Sequence, residues 1–340
     1  MRQRPFGTTG LELPEICFGT MRFASKERAD DAASRTGKRA LEEALERGVD
    51  FIHSSYEYGT RWAVGEVLAE HPRRSQVRHA IKVNVPDWGD ASFDKAKFRT
   101  QIEDALRELH AERIDIVQHL QRGRLDPAVA YQAAGEPQRV ADFDQVIGPL
   151  TEAFEELRDE GLVGVLATFP YTVGYARRAL SSGAFAGVVA YFDVLETEMA
   201  SLFPQMRERG MGFIGIRPFM GGLLTDRRVH REALPADDPM RDPRWDRAYD
   251  QLAEAAPLIA EAKGDASWTA FALRFSLADP IIASTVVSIN SPAQLQEVLD
   301  AVEAEPPDRE LVTRLDAITR RFRERHGVVA DKSGLPVYEP

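Results

Sequence analysis

Gly48-Val-Asp-Phe-Ile-His-Ser-Ser-Tyr-Glu-Tyr-Gly59 passes from a short apolar run directly into a polar, aromatic turn. The run Asp50–His53 reads as a buried strand, so His53 through Tyr58 are expected to emerge at its C-terminal end. The plainer reading is a strand followed by an aromatic-rich loop with no chemistry. The next apolar run, Val77–Val83, weighs against that, because it holds Lys82 within Ala80-Ile-Lys-Val83. An ammonium in an apolar strand is costly unless it is paired or its pKa falls. A structural lysine there would sit at the strand end and snorkel outward.

Outward from this pair the same alternation repeats. Strands are expected at Glu15–Thr20, Asp50–His53, Val77–Val83, Ile114–Leu120, Leu162–Thr168, Gly187–Phe192, Gly212–Ile216 and Ile281–Ser288. Amphipathic helical stretches lie between most of them, at Thr36–Glu46, Lys95–Leu109, Leu150–Glu160, Thr172–Leu180, Leu202–Arg209 and Ala266–Ala278. Short apolar strands alternating with helices indicate a parallel sheet, and eight such units fit a closed (β/α)8 barrel. No G-x-G-x-x-G follows the first strand, which removes the support for an open dinucleotide-binding sheet. Arg4–Leu13, with Gly7 and Gly10 at turn positions, is expected to form a hairpin under the barrel. Gln121–Gln145 and the charged Thr225–Asp250 read as long loops at the C-terminal face, where barrel enzymes build their sites. One domain spanning residues 1–340 is expected.

The chain has 340 residues, a net charge of −11 and 44% apolar residues. Such acidity argues against nucleic acid and anionic membranes as partners, since both select basic patches. A small-molecule substrate is expected instead. Cys17 is the only cysteine, so no intramolecular disulfide can form, and no secretory or membrane-spanning run is seen. A cytoplasmic location is the expectation.

Several short motifs, in order, resemble the aldo-keto reductase superfamily. They are Phe6-Gly-Thr-Thr-Gly-Leu11, Phe18-Gly-Thr-Met21, Gly48-Val-Asp-Phe-Ile with Tyr58-Gly59 and Gly65-Glu66, and Ile114-Asp-Ile-Val-Gln118. Ala153-Phe-Glu-Glu-Leu with Gly161, Arg217-Pro-Phe-Met-Gly-Gly-Leu-Leu-Thr225 and Ser291-Pro-Ala-Gln-Leu-Gln-Glu297 complete the set. The resemblance implies a barrel that moves a hydride between NADPH and a carbonyl. It makes Tyr58 the acid/base and Lys82 the residue that tunes it, which suits a phenol of unperturbed pKa ~10 working near neutrality. It also places a cofactor along Gly19, Thr20, Met21, Phe169, Arg217, Pro218, Gly222, Leu224, Ser288, Asn290, Ser291, Gln294 and Glu297. The hydroxyl and small residues before a helix suit a phosphate. Ser291-Pro292 is equally an ordinary helix cap.

Other positions depart from the resemblance. His53 stands where the family has an aspartate beside the lysine, though a neutral His53 could accept a hydrogen bond from Lys82. Leu120 stands where it has the catalytic histidine; His119 is adjacent, but one step along a strand turns it to the opposite face. Phe169 and Pro170 replace the Ser-Asn pair that grips the nicotinamide amide, Val189 its glutamine, and Val298 the asparagine that reads adenine. Trp62, Leu120 and Arg122 are candidate substrate contacts, with core packing or solvated loop positions as the alternatives. Arg124 reads the same way, Arg217 could meet an anionic ligand or a neighbouring acid, and the role of Asp193 is open. The tail from Arg325 to Pro340 could fold over the mouth. No metal is expected. Three functions compete: an NADP(H)-dependent carbonyl/alcohol oxidoreductase, a redox-neutral dehydratase or isomerase using His53, Tyr58 and Lys82, and an inactive binding protein on the same barrel.

Overall fold

A computed structural model describes residues 1–125, 135–303 and 305–326. Most of the tail and the middle of the loop after Leu120, including Pro127, lie outside the described residues. Two short strands, β1 (Gln3–Pro5) and β2 (Glu12–Pro14), pair antiparallel as the expected hairpin. Eight parallel strands follow: β3 (Ile16–Gly19), β4 (Phe51–Ser55), β5 (Arg78–Asn84), β6 (Ile114–Leu120), β7 (Val163–Thr168), β8 (Gly187–Tyr191), β9 (Gly212–Ile216) and β10 (Ile282–Ser288). They close in sequence order, with β10 paired to β3. The fold is therefore a (β/α)8 barrel.

The strands sort their side chains by alternation. Residues such as Cys17, Phe51, Ala80, Ile116, Leu120, Ala167 and Val189 fill the barrel interior. Their neighbours Phe18, Ile52, Ile81, Val117, Leu166 and Val188 face outward and join the larger cluster beneath the helices. Those helices are α1 (Ala32–Glu46), α2 (Arg61–Glu70), α3 (Lys95–Glu108), α4 (Glu136–Asp159), α5 (Val173–Ser182), α6 (Phe203–Glu208), α7 (Asp246–Lys263), α8 (Trp268–Phe275), α9 (Pro292–Glu303) and α10 (Arg309–Arg325). Side-chain caps start several of them: Asp31 accepts from the Ser34 N–H, Asp94 from Lys97 and Ser267 from Ala270.

Two expected loops are in part helical. α4 starts at Glu136, not Leu150, and carries Pro149 within it. The charged segment after β9 forms short turns and then α7, whose charges lie opposite a buried stripe of Ala248, Leu252, Ala255 and Ile259.

Phe6 closes the bottom of the barrel. It is fully buried, and its ring lies where a side chain at Gly187 or Gly212 would stand.

Candidate active site at the carboxyl end of the barrel

β4 ends at Ser55, and the chain turns at once through Tyr56–Tyr58 to Gly59. Gly59 has φ 64°, and a Cβ there would lie 2.8 Å from the Lys26 carbonyl oxygen, so the turn requires glycine. Within this turn Tyr58 folds back into the mouth and is only 6% exposed. Lys82 lies on the neighbouring strand, in register with Ser55. Its Nζ is 4.9 Å from the centre of the Tyr58 ring and 5.5 Å from that of Phe169. The structure thus brings together the two residues the sequence singled out first. Burial, followed by the nearby Glu57 carboxylate, holds the Tyr58 phenol well above its ordinary value, and Arg122 works in the opposite direction.

His53 points into the barrel, and its ring lies 6.3 Å from that of Tyr58. Its Nε2–H donates to Gln118 Oε1 at 2.6 Å. Burial first, then the Lys82 ammonium, pushes its pKa down to about 3, so the imidazole is neutral at physiological pH. Leu120 is part of the apolar interior cluster beside Phe169 and Ile216. His119, one residue earlier, faces out: its Nε2–H donates to the Val85 carbonyl at 2.7 Å, and its ring lies along Phe185.

The positions after β7 and β8 are aromatic. Phe169 is 2% exposed and packs edge-to-face on Tyr171 and Tyr191, with centroids 4.7 and 5.3 Å away. Val189 lies in the interior. Arg217, at φ 67° just beyond β9, lays its guanidinium over Tyr191 at 4.8 Å and pairs with Glu196 at 3.5 Å. Asp193 Oδ1 accepts the Leu195 and Glu196 N–H groups, and burial beside Glu196 raises its carboxyl far above the usual carboxylate range.

Two expected substrate contacts have other work. Arg122 is buried and bonds both oxygens of Glu57, with Asp87 Oδ1 at 3.0 Å and the Trp88 ring 4.8 Å away. It therefore ties the loops after β4, β5 and β6 together and does not stand open to a substrate acid. Trp62 packs between helices, donates its indole N–H to the Ser25 carbonyl at 3.0 Å and has Lys38 over its ring. Arg124 is exposed.

The loops after β3, β9 and β10 lie side by side at this end, because β10 pairs with both β3 and β9. Thr20 Oγ1 donates to the His53 carbonyl, and the Thr60 hydroxyl donates to the Thr20 carbonyl, which locks Gly19–Met21 against the Tyr58 turn. Pro218 is buried and Leu224 is wholly buried, so Leu224 offers this surface backbone only. Ser291 Oγ accepts the Gln294 N–H and Gln294 Oε1 accepts the Asn290 N–H, so both side chains hold the end of α9. Asn290 Oδ1 is buried with no hydrogen-bond partner. Ser288 and Glu297 are exposed.

Arg22 and Arg228 were not among the residues expected from the sequence. The Arg22 guanidinium is held below its ordinary value by burial and by Arg228, so the two cations share this end of the barrel. Arg228 is anchored to Asp238 at 3.1 Å and its Nη1 lies against Gly222. The available signal was an arginine soon after the first barrel strand and another after the seventh. Among the described residues no helix is long and apolar enough to cross a membrane.

The chain matches the Aldo/keto reductase family over residues 15–320. It is 23% identical to the Uncharacterized oxidoreductase YqkF of Bacillus subtilis, over 94% of this chain and 97% of that protein. It is 24% identical to the L-galactose dehydrogenase of Arabidopsis thaliana, over 93% of each. Its fold matches the holo form of the aldo-keto reductase AKR11C1 from Bacillus halodurans, with TM-score 0.68 and 24% identity, over 94% of this chain and 96% of that one.

Proposed function

The chain belongs to the aldo/keto reductase family, and from that premise we propose an NADP(H)-dependent oxidoreductase that interconverts a carbonyl and an alcohol on a small organic molecule. The observation that carries the reading is the buried Tyr58 phenol at the mouth, with the Lys82 ammonium 4.9 Å from its ring. A phenol held protonated by burial is a donor over the whole working pH range. It becomes effective when the oxygen it faces turns basic, as a carbonyl oxygen does while being reduced. The Lys82 ammonium offsets the charge that remains on Tyr58 after the proton leaves. The name of the Arabidopsis relative points to the same bond change, on a sugar.

For the cofactor, Arg22, Arg228 and Gly222 would hold the diphosphate. The start of α9, with Ser291, would hold the adenosine phosphate of NADP. Asn290 Oδ1, buried without a partner, would accept from a hydroxyl or amine of the adenosine and not from its phosphate. When bound, the reduced nicotinamide supplies the hydride. Work in the cytoplasm is part of this proposal. The redox-neutral alternative needs His53 as a working base; its Nε2 is committed to Gln118 and the residue is 3% exposed, so the oxidoreductase is preferred.

Titration of the purified protein with NADPH, followed by cofactor fluorescence, tests the reading. Saturable binding is expected, with turnover in a panel of aldehydes, ketones and aldoses. Failure to bind at millimolar NADPH overturns it.

A further inference from the structure

The chemistry at Tyr58 fixes where the cofactor's ring must lie. Proton and hydride reach adjacent atoms of one carbonyl, so the donor ring has to sit in van der Waals reach of a group hydrogen-bonded to Tyr58. That volume is the mouth bounded by Lys82, Phe169, Leu120 and Ile216, and the ring's carboxamide must find its partners on those walls. The walls are largely carbon. Phe169, Leu120, Val189 and Ile216 belong to one apolar interior cluster, each under a tenth exposed. Pro170 has no N–H to offer. Thr168 is turned to the opposite face by strand alternation. Two amide side chains lie on this face: Gln118, two residues below Leu120, has no exposure and is bonded to His53, and Asn84, level with Leu120, is equally without exposure and donates to the Tyr56 hydroxyl at 3.3 Å. Phe169 is itself fixed by Tyr171 and Tyr191, so the wall cannot swing aside to bare a polar group.

We propose that this enzyme makes its hydrogen bonds to the dinucleotide at the phosphate–adenosine end and does not grip the nicotinamide carboxamide, whose place is walled by Phe169 and Pro170. The proposal rests on the cofactor reading above and adds a specificity to it. The ring is held by stacking and shape, and substituents at the carboxamide position are not discriminated.

The test is calorimetric and needs no substrate. Full-length wild-type protein is titrated with NADP+, with its 3-acetylpyridine analogue, which has a methyl group in place of the amide NH2, and with 2′-phospho-ADP-ribose, which lacks the ring. A lost hydrogen bond to a buried partner costs about tenfold in affinity. The analogue is expected to bind within about fivefold of NADP+, and a larger loss overturns the proposal. If 2′-phospho-ADP-ribose binds and the analogue is rejected, only the proposal fails. If neither NADP+ nor 2′-phospho-ADP-ribose binds at millimolar concentration, the cofactor reading fails and takes the proposal with it. A second arm combines Phe169→Ser with Pro170→Asn: a folded double variant that newly favours NADP+ over the analogue supports the proposal. One that leaves the two ligands equal counts against polar groups at these positions being able to reach the carboxamide, and overturns it. Should the double variant not fold, the wild-type comparison decides.

Discussion

His53 and Gln118 are joined by a 2.6 Å hydrogen bond that spans from β4 to β6, passing the strand that carries Lys82. The bond fixes the imidazole as a neutral donor next to an ammonium, a state that burial enforces by holding its pKa near 3. Where the family places a carboxylate, this chain keeps a neutral ring that adds no negative charge. The interior of the mouth is therefore more positive than a Lys–Asp pair would leave it.

The same physics sets a pH dependence of stability. His53, His79 and His119 are all buried, with pKa values lowered to about 3, 4 and 4, in each case chiefly by burial. In the unfolded chain they take up protons near pH 6.5, so between about pH 6.5 and 4 the unfolded state binds protons that the folded state refuses. Their contribution is present above pH 6.5 and is lost as the pH falls. Asp193, with its raised carboxyl, acts the other way, losing its contribution as pH rises above its unfolded value. His119→Gln isolates one histidine, since the amide can still donate to the Val85 carbonyl. The urea midpoint of the variant should fall less steeply from pH 7 to 4.5 than that of the wild type, and parallel slopes would exclude the buried neutral imidazole.

Tyr58 makes a prediction about turnover. Tyr58→Phe removes the proton donor and should lower kcat about 10²–10⁴-fold with NADPH binding unchanged. In the direction of carbonyl reduction the wild-type rate should show no alkaline loss from phenol ionisation up to pH 10, because burial raises that group above its ordinary value. Retained turnover in the variant would move the acid elsewhere.

Arg122→Met should destabilise the fold by about 2–4 kcal/mol, toward the cost of leaving a buried charge unpaired, reduced because Glu57 and Asp87 retain some solvent. Adding Glu57→Gln should restore part of the loss. The check is urea unfolding of the two single variants and the double, and strict additivity would mean that the Arg122–Glu57 pair has no coupling.

How much of this was written locally explains what could be read from the chain. Strands β6 and β9 fall on their expected residues, and the others differ at their ends by a residue or two, since apolar runs bounded by turns define them. Tyr58 and Lys82 were legible for a related reason: each sits at the end of such a run, and adjacent parallel strands bring those ends together. Glycine and proline at Gly148 and Pro149 hid the first half of α4, although Phe143, Val146 and Leu150 form one buried face through them. The pairing of Arg122 was not legible, because its partner Glu57 is far away in sequence and reaches it only through barrel closure. The setting of Trp62 was not legible, because an aromatic beside this turn reads alike whether it faces the mouth or Lys38. Arg22 and Arg228 meet only because the first and seventh barrel strands both flank the eighth.

The bottom of the barrel gives a prediction independent of the chemistry. A Cβ on Gly212 would stand 2.3 Å from the Phe6 ring, and one on Gly187 2.2 Å from it, closer than side-chain atoms approach. Gly187 also faces the Gly212 carbonyl oxygen at 2.6 Å, which cannot move without disturbing the ladder. Gly212 meets chiefly the ring. Gly212→Ala should therefore cost about 1–3 kcal/mol by overpacking, and Phe6→Ala about 3–5 kcal/mol by leaving a cavity. Because the added methyl occupies space the ring vacates, the double variant should be more stable than the sum of the two losses implies, by 0.5 kcal/mol or more. Gly187→Ala, pressed against backbone as well, should be rescued less by the same Phe6→Ala change. Equal rescue of the two glycines in urea unfolding would show that the hairpin, and not the sheet, absorbs both clashes.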